Sequence, residues 1–66
     1  MRIILNGELL DLPQAMDVAT LLQHLRLGEK RVAVEVNREI VPRSRHVGHA
    51  LHAGDVVELV QAMGGG

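Results

Sequence analysis

The sequence predicts an α+β fold in which one helix packs across a mixed sheet of four or five strands. Three local patterns carry this prediction: an Asn6-Gly7 turn between two extended segments, a helical repeat of apolar residues from Val18, and an alternating strand from Val32. A hairpin alone could not bury a core, whereas a helix laid on a sheet can do so within 66 residues.

The first segment of the chain is predicted to form a β-hairpin. Its strands are the extended apolar segments Arg2 to Leu5 and Glu8 to Leu12. Asn6-Gly7 lies between them and suits a two-residue type I′ turn, because both residues tolerate the positive φ angles that this turn requires. Pro13 is expected to end the second strand, since proline has no N–H to donate to a sheet.

A helix is predicted from Val18 to Arg26. Its apolar residues recur at i, i+3, i+4 and i+7 and therefore share one helical face. Asp17 is expected to cap the helix by accepting from first-turn amides, and Arg26 complements the negative end of the helix dipole. Gly28 is expected to adopt the left-handed conformation that ends the helix. The apolar residues of this face are Val18, Leu21, Leu22 and Leu25.

Val32 to Val36 alternates with the period of a half-buried strand and is predicted as the third strand. Residues 37–39 are expected to turn the chain into a short fourth strand, Ile40-Val41. Pro42 ends that strand, which therefore belongs at an edge of the sheet.

The last part of the domain is predicted to return to the sheet. The mixed polar segment 43–53 is expected to form one helical turn and a loop, and Gly54-Asp55 a second turn. The strand that follows, 56–60, should point Val57 and Leu59 into the core because Glu58 must face water.

Composition excludes several functional classes. The formal net charge is -1 and aromatic residues make up 0%, which argues against binding nucleic acid by phosphate neutralisation or base stacking. The count of cysteine is zero, so a disulfide framework, a thiolate zinc site and a cysteine nucleophile are ruled out. No apolar run is long enough to span a membrane or to act as a signal peptide, and we expect a cytoplasmic protein.

The end of the sequence, Met63-Gly64-Gly65-Gly66, is the feature that bears most on function. We interpret residues 1–62 as one domain and residues 63–66 as a flexible tail, because glycines have no side chains to pack. A frayed end and a linker remnant remain alternatives. A functional tail of four residues would reach about 13 Å, at ~3.3 Å each, and could enter a narrow active site of another protein.

The chemical group that such a tail would deliver is the carboxylate of Gly66. A carboxylate can attack the α-phosphorus of ATP to give an acyl adenylate, which can pass its acyl group to a nucleophile supplied elsewhere. This chemistry needs no catalytic residues in the chain itself. An independent enzyme is disfavoured, since the sequence shows no nucleophile and base pattern and no phosphate-binding loop.

Several segments resemble the sulfur-carrier proteins of thiamine biosynthesis, a ubiquitin-like family. They are Val34 to Arg43, Leu51, Gly54 to Glu58 and the terminal glycines, and the similarity in length and hairpin position extends over essentially the whole chain. The resemblance implies a ubiquitin-like β-grasp fold. It also implies that Gly65 and Gly66 form the family's ending, with Gly64 as a third glycine before them and Met63 as an apolar residue that helps to dock the tail.

The resemblance further implies a function as a protein co-substrate with no bound cofactor. An E1-like adenylating enzyme, using ATP and Mg²⁺, would activate the carboxylate of Gly66. A sulfur donor system fed ultimately from cysteine would convert it to a thiocarboxylate, and thiazole synthase would take up that sulfur. No nucleic acid and no membrane is expected as a partner.

Three other functions remain open. The chain could be the small subunit of a molybdopterin synthase, which uses the same terminal chemistry, although the short chain and Pro42-Arg43 favour thiamine. It could be a β-grasp binding module without a covalent role, or a modifier that is conjugated to other proteins as ubiquitin is.

Four further features of the sequence bear on possible sites. Residues His46, His49 and His52 recur every three positions, and we interpret them as a solvated loop rather than a metal site. His24 is expected to face solvent. Val60 shares a face with Glu58, so either a loop covers it or it is exposed; we favour exposure and contact with a partner together with Met63. A basic cluster is a weaker candidate for docking an acidic partner surface; its members are Arg38, Arg43 and Arg45.

Overall fold

The predicted α+β class is confirmed: one α-helix packs on a five-stranded mixed sheet in the computed structural model, which describes residues 1–61. The central strand β5 pairs in parallel with β1 and antiparallel with β3, and the β1–β2 and β3–β4 pairs are antiparallel. The sheet order is β2-β1-β5-β3-β4. The elements are β1 (Arg2–Leu5), β2 (Glu8–Asp11), α1 (Val18–His24), β3 (Val32–Val36), β4 (Glu39–Val41), a 3₁₀ turn (Arg43–Arg45) and β5 (Val56–Gln61).

The hydrophobic core lies between α1 and one face of the sheet. Val57 is fully buried, Leu59 is half-buried and Glu58 between them is exposed, which confirms the predicted orientation of the last strand. Apolar burial of this kind is the main favourable term in folding. The buried apolar side chains of residues 1–61 are Ile3, Leu12, Val18, Leu21, Leu22, Val34, Val36, Val41, Leu51 and Val57.

Both hairpins turn through two residues with positive φ. In the first, Asn6 and Gly7 have φ angles of 48° and 83°, as the sequence predicts. In the second, Asn37 and Arg38 have φ angles of 52° and 69°. The prediction that Glu39 belongs to this turn is wrong, because the two-residue turn leaves it paired with Val36 at the start of β4.

Strand β4 lies at the edge of the sheet, as predicted from Pro42. Pro42 directly follows β4 and Pro13 follows β2 after one residue. That residue, Leu12, is buried in the core, and its amide donates to the carbonyl of Met1 at 2.6 Å. The helical turn predicted within residues 43–53 is the 3₁₀ turn at Arg43–Arg45.

The C-terminal end of α1 differs from its prediction. The helix ends at His24, two residues before Arg26, and Arg26 itself has the left-handed φ of 61°. The prediction that Gly28 ends the helix is therefore wrong. The amide of Leu27 donates to the carbonyl of Leu22 at 2.7 Å in a Schellman arrangement, which keeps Leu27 packed against the core.

The N-terminal end of α1 confirms Asp17 as the cap and shows a second contact. Its Oδ1 accepts a hydrogen bond from the amide of Thr20 at 2.8 Å. Its Oδ2 accepts one from the amide of Gly48 at 2.9 Å, and Gly48 has a φ of 92° that favours glycine. One carboxylate thus joins the helix to the loop before β5. The hydrogen bonds from Gly48 and Thr20 lower the pKa of Asp17 to about 2.

This contact predicts an acid-dependent loss of stability. Between the ordinary carboxyl pKa of 3.8 and the folded value of about 2, the unfolded chain binds more protons at Asp17 than the folded chain does. The free energy of unfolding should therefore fall as the pH drops from about 4 towards 2. Urea unfolding of the natural chain and of Asp17→Asn across this range checks the prediction, since the variant should show a shallower pH dependence. Equal slopes would contradict it.

Candidate functional site: the end of strand β5

Strand β5 connects the domain to the residues predicted to carry the chemistry. It is flanked by β1 and β3, and its last residue, Gln61, is paired with Val32. The predicted site residues Met63, Gly64, Gly65 and Gly66 lie outside the described residues. The structure therefore describes the surface around the end of β5, up to Gln61.

The start of β5 is fixed by two polar side chains from separate turns. The side-chain amide of Asn37 donates to Asp55 Oδ1 at 3.0 Å, and its Oδ1 accepts from the amide of Val56 at 2.9 Å. Asp55 Oδ2 also accepts from the amide of His52 at 2.8 Å. The Asn37 and Gly54-Asp55 positions that carry the family resemblance thus join the β3–β4 turn to the turn before β5.

A third asparagine contact holds the middle of the same strand. Asn6, in the first hairpin turn, accepts a hydrogen bond on its side-chain Oδ1 from the backbone amide of Leu59 at 2.8 Å. The backbone amide of Asn6 donates to the carbonyl of Val57 at 2.9 Å. Turn residues from both hairpins therefore support β5. Sequence reasoning assigned Asn6 only to a turn, because contacts across 53 positions leave no local signal.

Val60 is exposed at the end of β5, as predicted. Its relative exposure is 65%, and it lies opposite Ala33 on the outer face of the sheet. Glu58 and Glu35, a pair of carboxylates directly opposite each other, lie on the same face. Val60 is thus an exposed apolar residue near the end of β5, and its contact with a partner stays a prediction.

A pocket of about 580 Å³ lies beside Val60. Three of its lining residues are the cationic side chains Lys30, Arg31 and Arg43. We call it the basic pocket. Its other lining residues are Leu22, Gly28, Val32, Ala33, His46 and Val60.

The predicted basic cluster is divided by the fold. Arg43 lines the basic pocket, whereas Arg38 lies in the β3–β4 turn, at the opposite end of β3. Arg45 lies outside the lining of the pocket. The sequence alone does not single out Lys30 and Arg31, because they approach Arg43 only through the antiparallel pairing of β3 with β4.

The three regularly spaced histidines are not brought together. His46 is buried, with a relative exposure of 8%, and its Nε2 lies 3.1 Å from the carbonyl oxygen of Val41. The interpretation of all three as a solvated loop is therefore wrong for His46, although His52 is exposed and His49 is half-buried. Within residues 1–61, no group of three His, Asp or Glu side chains is arranged to hold a metal ion. His24 is exposed, as predicted.

The sequence of the chain matches a known protein family. The model of the ThiS family matches residues 2–66, which includes both the described domain and the glycine ending. The chain belongs to the ThiS family.

Two curated proteins are similar to this ThiS-family chain over its whole length. One is the "Sulfur carrier protein ThiS" of Escherichia coli strain K12, at 30% identity over all of both chains. The other is a "Thiazole synthase" of Paramagnetospirillum magneticum, at 41% identity. The chain spans only 20% of the length of that thiazole synthase, so the larger protein contains a segment like this one.

A solved structure confirms the β-grasp fold. The crystal structure of a thiamine biosynthesis protein (ThiS) from Geobacter metallireducens superposes with a TM-score of 0.85, at 30% identity and over all of both chains. The five-stranded sheet with one helix is thus the ThiS arrangement. No helix among residues 1–61 is long and apolar enough to cross a membrane.

Proposed function

We propose that this chain is a sulfur carrier of thiamine biosynthesis, acting as a protein co-substrate rather than as a catalyst. The observation that carries the proposal is the ThiS family match through residue 66, which aligns the terminal glycines together with the whole domain. The full-length similarity to a protein named as a sulfur carrier ThiS favours this role over that of a molybdopterin synthase small subunit.

The proposed chemistry takes place at the carboxylate of Gly66. One of its oxygens attacks the α-phosphorus of ATP, pyrophosphate leaves, and an acyl adenylate forms. Hydrosulfide supplied by the donor system then attacks the acyl carbon, AMP leaves, and loss of the sulfur-bound proton gives the thiocarboxylate. ATP and Mg²⁺ belong to the activating enzyme, and we expect the reaction in the cytoplasm, where ATP is available.

The described domain suits the task of presenting a tail to other enzymes. β5 pairs with β1 at Val56 and Val57 and with β3 from Val57 to Gln61, and it has additional contacts from Asn6 and Asn37. We propose that residues 63–66 extend from this base into the active site of each partner. Glycines at 64, 65 and 66 would allow the chain to pass where a Cβ atom would not fit.

The proposed partners are an E1-like adenylating enzyme, a sulfur donor system and thiazole synthase. The similarity to a segment of a thiazole synthase supports the last of these, because that protein holds a ThiS-like segment in one chain with its remaining 80%. Domains that act in the same reaction sequence are often joined in one chain in this way.

Mass spectrometry of the intact protein tests the proposal. The chain is incubated with its adenylating enzyme, ATP, Mg²⁺ and a sulfur donor system, and a reaction without ATP is the control. The expected result is an ATP-dependent gain equal to replacing one oxygen by one sulfur, located at Gly66 by fragmentation. An unchanged mass with an enzyme that loads another ThiS protein would overturn the proposal.

Val60 is predicted to contribute to activation without contributing to the fold. Val60→Glu places a charge on an exposed position beside the exit of the chain, so it should slow adenylation by about tenfold through a weakened partner contact. Val47→Glu is the matched control, because Val47 is 78% exposed and lies in the loop after the 3₁₀ turn. Initial rates of pyrophosphate release measure the effect. Equal rates for both variants would discard the role of Val60.

A further inference from the structure

The basic pocket is a site that the sulfur-carrier chemistry itself does not use. Its volume is about 580 Å³, and its lining combines three cationic side chains with the apolar residues Leu22, Val32 and Val60. No aspartate or glutamate lines it. A ligand that fills it should therefore combine negative charge with an apolar group.

The fold brings the three cations together from separate segments. Lys30 and Arg31 directly precede β3, and Arg43 begins the 3₁₀ turn after β4. Because β3 and β4 are antiparallel, the start of one and the end of the other lie at the same end of the sheet. The end of β5 lies there too, since Gln61 pairs with Val32. The pocket is thus adjacent to the end of β5.

Their charges are not neutralised within the described domain. Among residues 1–61, the ion pairs at 4.0 Å or less are Arg2 with Asp11 and His52 with Asp55, and neither involves a side chain of the basic pocket. Lys30, Arg31 and Arg43 are exposed. A carboxylate brought by a partner would meet cations that are free of competing carboxylates in this part of the chain.

We propose that the basic pocket docks an acidic surface segment of thiazole synthase, with an apolar side chain against the apolar lining and flanking carboxylates on Lys30, Arg31 and Arg43. This inference rests on the proposed function. Any enzyme that takes up the tail must approach the end of β5, so its surface must meet the basic pocket. Charge complementarity then requires carboxylates at the mouth of that enzyme's active site.

A protein segment fits the pocket better than a small anion does. The three cations are exposed and long, which suits contacts at the rim of a protein interface. The buried polar ring, that of His46, is already within hydrogen-bond distance of Val41 O and is not aimed at a ligand. The apolar part of the lining includes Val60, whose exposed side chain offers an anchor point of the kind that protein interfaces use.

Binding measurements with a charge-matched pair of variants test the inference. The natural chain is compared with the pocket variant Arg31→Gln/Arg43→Gln and with the control variant Arg38→Gln/Arg45→Gln. Each variant removes two positive charges. Their Kd for the thiazole synthase of the same organism is measured by titration calorimetry at several salt concentrations. A third variant adds Lys30→Gln to the pocket variant and so removes all three positive charges of the basic pocket.

We expect the pocket variant to raise Kd by about tenfold at low salt and to flatten the dependence of Kd on salt, with the control variant changing Kd less than about threefold. Equal effects of the two variants would overturn the inference, because net charge alone would then explain them. An unchanged Kd in the pocket variant, or no binding by the natural chain, would overturn it as well. Loading of the same proteins with sulfur, measured by intact mass, shows separately whether the proposed function stands.

Discussion

Adding one alanine after Gly66 is expected to abolish ATP-dependent loading with sulfur. The extension moves the terminal carboxylate by ~3.3 Å and places a Cβ atom on the residue that carries it. In-line attack on a phosphorus atom requires the reacting atoms to lie about 3–3.5 Å apart, so a displacement of this size removes the reactive geometry. Loss of productive positioning alone can cost ~10²-fold or more in rate. Intact mass after incubation with the activating enzyme measures the loss.

A matched insertion separates the position of the carboxylate from chain length. One alanine inserted between Gln14 and Ala15, which are exposed in the loop before α1, adds the same residue and leaves the ending unchanged. This control should load as the natural chain does, and both variants should show the unfolding midpoint of the natural chain. A tail-extended chain that loads at the natural rate would refute the role of Gly66.

The fold was predictable where short-range patterns decide the structure. The Asn6-Gly7 turn, the capping role of Asp17 and the inward orientation of Val57 each follow from a few neighbouring residues, and each is confirmed. The edge position of β4 follows similarly from Pro42, because proline has no backbone N–H to donate to another strand beside β4.

The errors lie where tertiary packing overrides a local preference. Glycine is the usual residue for a left-handed helix end, but here Arg26 takes that conformation because the Schellman bonds then bring Leu27 to the core. His46 is polar and lies in a loop, yet it is buried with its ring at hydrogen-bond distance from Val41. Neither outcome has a signal in the neighbouring sequence.

The candidate site also has one part that the sequence predicts and one part that it does not. The exposure of Val60 follows from strand alternation with Glu58. The basic pocket does not follow from the sequence, because Arg43 is twelve or more positions from Lys30 and Arg31 and meets them only through the pairing of β3 with β4. Non-local strand pairing thus created the part of the surface that sequence patterns do not reveal.

Leu21→Ala is expected to leave much of the protein unfolded at moderate temperature. Leu21 is 0% exposed and is among the largest fully buried side chains of the described core. Truncating such a leucine costs about 2–5 kcal/mol, whereas a domain of this size has a total stability of roughly 3–10 kcal/mol. Leu9→Ala, at a position 68% exposed on β2, should cost less than about 0.5 kcal/mol. Urea unfolding followed by circular dichroism compares the two, and similar midpoints would contradict the placement of α1 against the sheet.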